Sequence, residues 1–156
     1  MAEIWFYTPS GIVSNVVSFV TRGKFSHVSI MHSVADLAVV TEANAIKGVW
    51  CSPISRVRKP QHKICVSIDD SWTTRWLVSK WGVQYGWIDA LAFTVPSYQK
   101  EVDRRGVICT ELVGLFLLDA ARDPSAKAEI PEGWLRRLAD VPLARLSPSK
   151  LADVLV

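Results

Sequence analysis

The sequence predicts one α+β domain over residues 1–156, an antiparallel sheet packed against a central helix. Two observations carry this. Short strand-like apolar runs fill the first half of the chain and helix-like segments follow them. One segment, Val107–Ala121, is apolar nearly all round, the pattern of a buried helix. At 156 residues the chain is one ordinary domain, able to bury close to ~70% of its unfolded surface without disulfide or metal.

Each element follows from local pattern. Ile4–Tyr7 is an apolar run stopped by Thr8-Pro9, a short strand. Apolar residues at Ile12, Val13, Val16, Val17 and Val20 have helical spacing, so a short helix is expected over Ser10–Val20, ending before Gly23. His27–Met31 alternates as a strand, with His27, Ser29 and Met31 on one face. After a turn around Ser33–Asp36, Leu37–Ala43 is the next strand. Val49–Ser52 and Lys63–Ile68 follow, separated by a polar Arg/Lys/Pro stretch. Asp69, Asp70 and Ser71 offer N-caps for a helix towards Trp81, with Gly82 as its stop. Trp87–Phe93 reads as a shorter helix or turn before Pro96. Asp123-Pro124 ends the Val107–Ala121 helix, and short helices are expected near Glu132–Leu138 and Ser149–Val154.

Composition narrows the function classes. Hydrophobic residues make up 49% and charged residues 21%, a globular profile. The net charge of +3 comes from scattered Lys and Arg with no nucleic-acid motif, so no nucleic-acid partner is expected. The seven Trp read as core and rim packing. Cys51, Cys65 and Cys109 form no disulfide framework, which fits a reducing compartment. No basic, apolar leader opens the chain and no run is long enough to span a membrane. The expected location is therefore cytoplasmic, with export or virion association by another route left open.

The chemistry centres on Cys109. Placed at the start of a helix, its sulfur meets unpaired backbone N–H groups and the positive end of the helix dipole, which favour a thiolate. The alternative is an inert buried thiol. His27, on a strand, can meet a helix N-terminus packed across the sheet and act as base and then acid; otherwise it is a core histidine. His32 falls on the opposite face, and His62 reads as surface. Glu42, a carboxylate inside the apolar run Val39–Ala43, needs a partner, and orienting His27 would supply one; alternatively it faces outward. A zinc site drawn from the three cysteines and a histidine is the rival reading, but no paired-cysteine spacing supports it. Cys51 and Cys65 read as core thiols. No metal or cofactor is expected.

Five motifs in order carry a family resemblance: Ser26-His27-Val28; Thr41-Glu42-Ala43 with Gly48-Val49; Gly82-Val83-Gln84-Tyr85-Gly86; Cys109-Thr110-Glu111-Leu112-Val113; and Ser147-Pro148-Ser149-Lys150-Leu151. This series resembles the circularly permuted NlpC-type papain-like cysteine hydrolases (the YiiX-like amidases), from about Ile4 to Leu151. In that family the histidine strand precedes the cysteine helix. The Gly-rich entrance that often precedes this strand is reduced here to Arg22-Gly23-Lys24. The resemblance implies a permuted papain-like fold and a Cys–His–Glu centre made of Cys109, His27 and Glu42. It also brings Tyr85 to the site as a substrate-lining or oxyanion-side residue. A thiol hydrolase acting on an amide through an acyl-enzyme is expected, cleaving a peptidoglycan-type peptide or another small amide, so that the partner is a peptide, cell-wall or lipid-amide substrate. The alternatives are a lipid acyl hydrolase or acyltransferase on the same fold, as in the lecithin:retinol acyltransferase type, and a non-catalytic binding or structural module.

Overall fold

A computed structural model describes residues 1–10, 15, 18–19, 21–87 and 106–156. The helix expected over Ser10–Val20 and the short element expected over Trp87–Phe93 lie, for most of their length, outside the described residues. What is described is α+β. Five strands, β1 (Ala2–Tyr7), β2 (His27–Val34), β3 (Leu37–Asn44), β4 (Gly48–Pro53) and β5 (His62–Val66), form an antiparallel sheet in the order β4-β3-β2-β1-β5. Each strand lies within two residues of the expected run at both ends or extends it. The largest extension is at the β2–β3 hairpin, where the chain turns on Ala35 and Asp36 alone, both with positive φ (48° and 64°). Such a two-residue turn matches the twist of its strands.

Alternation divides the sheet into two faces. Ala2, Ile4 and Phe6 of β1, Val28 and Ile30 of β2, Ala43 and Val49 join the main core, while Trp5, Tyr7 and Val40 form a second, smaller cluster on the other face. The main core is closed by α1 (Asp70–Lys80) and α2 (Cys109–Arg122). Asp69 caps α1 by accepting from the Trp72 N–H at 2.9 Å. In α2, Leu112, Val113, Phe116, Leu117 and Ala120 are buried at three- and four-residue spacing, so the apolar run packs as a central helix. It starts two residues later than the run itself, because Gly106–Val107 (β7) pairs in parallel with Gln84–Tyr85 (β6). Two helices, α3 (Glu132–Ala139) and α4 (Pro148–Val154), complete the domain. Among the described residues no helix is long and apolar enough to cross a membrane.

β4 and β5 stand at opposite edges of the sheet, so residues 54–61 between them must cross it. They do so over the smaller cluster, where Val57 packs against Trp5, Tyr7 and Val40. At its end this strap is tied to β1: the Gln61 N–H donates to the Phe6 carbonyl at 2.9 Å, and the Thr8 N–H donates to Gln61 Oε1 at 3.0 Å. Two expectations are corrected here. Cys65 is exposed and Cys51 only half-buried, so neither is a core thiol. On edge strand β5, Ile64 and Val66 turn to the core, and alternation sends Cys65 outward.

Candidate functional site

Cys109 is the first residue of α2 and is buried. Ile108 before it is extended, and no side chain caps the helix, so the first-turn N–H groups face outward from the sulfur's end of the helix. The Leu112 N–H closes the first intrahelical bond to the Ile108 carbonyl at 2.9 Å.

His27 is the first residue of β2 and lies opposite Tyr7 in the sheet register. The approach to this strand is fixed by the distant Ser149, whose hydroxyl accepts from the Phe25 N–H at 2.8 Å and donates to the Phe25 carbonyl at 3.3 Å. The Ser26 N–H then donates to the Tyr7 carbonyl at 2.9 Å. Alternation places His27 with Ser29 and Tyr7, on the face away from α2. The Tyr7 ring lies 5.6 Å from the imidazole, and the Tyr7 and Ser29 hydroxyls are bonded at 3.0 Å. The expectation that His27 would meet the helix across the sheet therefore needs correcting. His27 and Cys109 meet at the end of the sheet, where a strand and a helix both begin. The histidine facing the helices is His32, which is fully buried and bonded through Nε2 to Thr41 Oγ1 at 2.9 Å.

Glu42 Oε2 is 2.7 Å from His27 Nε2. Its other oxygen accepts from Asn44 Nδ2 at 3.4 Å, and Asn44 Oδ1 accepts from the Ile46 and Lys47 N–H groups at the β3–β4 turn. The Cys109 thiol is the other side chain that acts directly on the imidazole. Burial alone would push His27 down, but the interactions with Cys109 and Glu42 and their negative charges outweigh it and raise it to about 10. The bond to His27 holds Glu42 below the usual carboxylate range despite burial. The imidazole is therefore protonated at neutral pH, between two groups that stabilise its charge.

Tyr85 reaches the same place on β6. Burial first, and then the nearby Cys109 charge, push its phenol upward, and Trp87 stands edge-on to its ring at 5.2 Å. Two glycines permit this approach. Gly48 has φ +71°, and a Cβ there would run into the Val83 carbonyl oxygen, which accepts from the Val49 N–H at 2.8 Å. At Gly106 a Cβ would come within 2.6 Å of the Gly86 nitrogen. Both close contacts hold the Tyr85 segment between β4 and the start of α2.

The structure thus brings Cys109, His27, Glu42 and Tyr85 together and leaves Cys51, Cys65, His32 and His62 elsewhere. Among the described residues no group of three or more His, Cys, Asp or Glu side chains is placed to hold a metal ion. Sequence reasoning quoted Ser149 only within a motif and missed both its clamp on Phe25 and the support Asn44 gives to Glu42. The Asn44 signal was present: an Asx residue just before a tight turn binds the following backbone N–H groups. Comparison with family models and with curated protein sequences finds no match to this chain.

Proposed function

We propose that the protein is a thiol hydrolase that cleaves an amide through an acyl-enzyme on Cys109. One observation carries this reading: His27 stands between the Cys109 thiol, whose interaction raises it, and the Glu42 carboxylate, which lies 2.7 Å from its Nε2. Glu42 occupies Nε2, which leaves Nδ1 for the thiol. The imidazolium, raised to about 10, holds the proton that the leaving group will need, and the Cys109 sulfur is the nucleophile. The sulfur attacks the carbonyl carbon. The carbonyl oxygen takes the negative charge against first-turn N–H groups of α2, with Tyr85 beside it. Collapse expels the amine, which takes the proton from His27 and leaves a thioester. Water then attacks that thioester, giving a proton to the imidazole, and the acid departs as the sulfur is regenerated.

The motif order supports placing this chemistry on a permuted papain-like fold, with the histidine strand ahead of the cysteine helix. A peptidoglycan-type peptide or another small amide is the substrate class this resemblance favours. The test is acyl transfer from p-nitrophenyl acetate, followed by intact mass and peptide mapping. A single acetyl group on Cys109 that is lost in Cys109→Ala and slowed in His27→Ala is expected. Acetylation spread over the exposed Cys65 and indifferent to His27 would refute the proposal.

A further inference from the structure

The strap over the sheet delivers a cation to the reactive end. Arg58 follows Val57, the residue seated on Trp5, Tyr7 and Val40. Its guanidinium carbon lies 5.4 Å from the centre of the Tyr7 ring, and that ring lies 5.6 Å from the His27 imidazole. Arg58 Nη2 donates to the Thr8 carbonyl at 2.6 Å, which is its hydrogen-bond acceptor among the described residues. The cation–π contact and this one bond anchor the guanidinium, and among the described residues other donors of its rigid fork have no acceptor. Arg58 is exposed, and the Tyr7 phenol responds to Glu42 and Arg58 in opposite directions, after burial and the Ser29 bond.

Near this end of the sheet the chemistry as described uses an imidazolium held by one carboxylate. The amide hydrolysis itself does not need Arg58. An anchored cation over the ring that lies against His27 is a recognition element on the histidine side of the site. We infer that Arg58 is a specificity-determining residue that takes a carboxylate carried by the substrate near its scissile carbonyl. A single negative charge suits the place better than a doubly charged phosphate, because the Glu42 carboxylate is part of the same centre and repels further anionic charge. This inference rests on Cys109 being the nucleophile.

The test compares two small alkylating agents that differ in one charge, iodoacetate and iodoacetamide, with modification of Cys109 read by peptide mapping. The ratio of their rates at Cys109 should be highest in the wild type, fall at least about threefold in Arg58→Ala and fall further in Arg58→Glu. Added salt should lower the ratio in the wild type and leave it nearly flat in Arg58→Ala. Arg58 also braces Thr8, so thermal melts are run alongside. A bracing role alone would slow or speed both reagents together and leave the ratio unchanged. An unchanged ratio in both variants, with iodoacetamide still selecting Cys109, overturns the role of Arg58 while the thiol hydrolase reading stands. Failure of iodoacetamide to select Cys109 overturns both.

Discussion

Replacing Glu42 by Gln removes a charge while keeping the shape and an acceptor oxygen, so it isolates what the carboxylate does to His27. At the observed 2.7 Å separation, opposite unit charges attract by about 6 kcal/mol at an effective dielectric of about 20, and by about 1.5 kcal/mol at that of water. His27 and Glu42 keep 28% and 24% of their side-chain surfaces exposed, which places the pair toward the wet end, at about 2–3 kcal/mol. That corresponds to about 1.5–2 pKa units. Loss of the negative charge disfavours the imidazolium, so His27 should fall from about 10 to about 8 in Glu42→Gln. The assay is an NMR titration of the imidazole carbon-bound protons, with the buried His32 as a control that should not move. Acyl transfer should be reduced but retained, and less impaired than in His27→Ala. A His27 titration unchanged to within about half a unit, or shifted upward, would refute the electrostatic account of this pair.

Alkylation of Cys109 near pH 7 should slow in His27→Ala and stay nearly unchanged in His32→Ala. The second variant should instead lose about 1–3 kcal/mol in urea unfolding, because Thr41 is left without its buried partner; equal effects on alkylation would break the assignment. Gly48→Ala should cost about 1–3 kcal/mol by forcing a side chain into positive φ against Val83, and should lower activity through the Tyr85 segment. A melt indistinguishable from wild type would contradict it. Stability should peak near pH 6.5, since the two shifted histidines act in opposite senses. His27 is raised, so its contribution is full below its unfolded value of 6.5 and is lost as pH rises through about 10. His32 is lowered, chiefly by burial, so its contribution is present above 6.5 and is lost as pH falls below that. Melting temperature against pH, for wild type and His27→Ala, checks this: the variant should lose the decline on the alkaline side, and an identical decline would sink the linkage.

Period and punctuation made most of this fold readable. The alternation in His27–Met31, the caps at Asp69 and the all-round apolar run after Val107 each depend on neighbours a few residues away. Cys109, His27 and Glu42 stood out for different reasons: Cys109 opens an apolar helix, and Glu42 is a costly charge inside an apolar strand that a histidine can pair. What failed was the choice of face. Parity says that His27 and His32 point opposite ways, but it does not say which face the helix covers, and by that criterion alone His32 would have been chosen. His27 meets the thiol only because it is the first residue of its strand, an end effect that alternation does not encode. Cys65 was misread because Ile64 and Val66 make an edge strand look like a central one. Ser149 and Arg58 act on Phe25 and Tyr7 across long stretches of chain, and no local pattern carries such pairings. The Ala35–Asp36 turn lacks the glycine that announces a two-residue hairpin, so only a looser turn was expected there.

The sheet order also has a consequence for how the centre is assembled in time. β1 to β4 lie side by side in chain order, and His27 and Glu42 are only 15 residues apart within that run. Their pairing closes a short loop, the kind of contact that forms early and fast. Cys109 arrives from far along the chain, and Ser149 from farther still, so on the proposed function the sulfur acquires its base only when α2 docks and the C-terminal helix locks Phe25. The His27–Glu42 pair can exist as a local unit, whereas Cys109 joins it through the last long-range closures. A partly folded chain therefore carries an ordinary, unassisted thiol, and the onset of Cys109 reactivity during refolding marks completion of the whole domain.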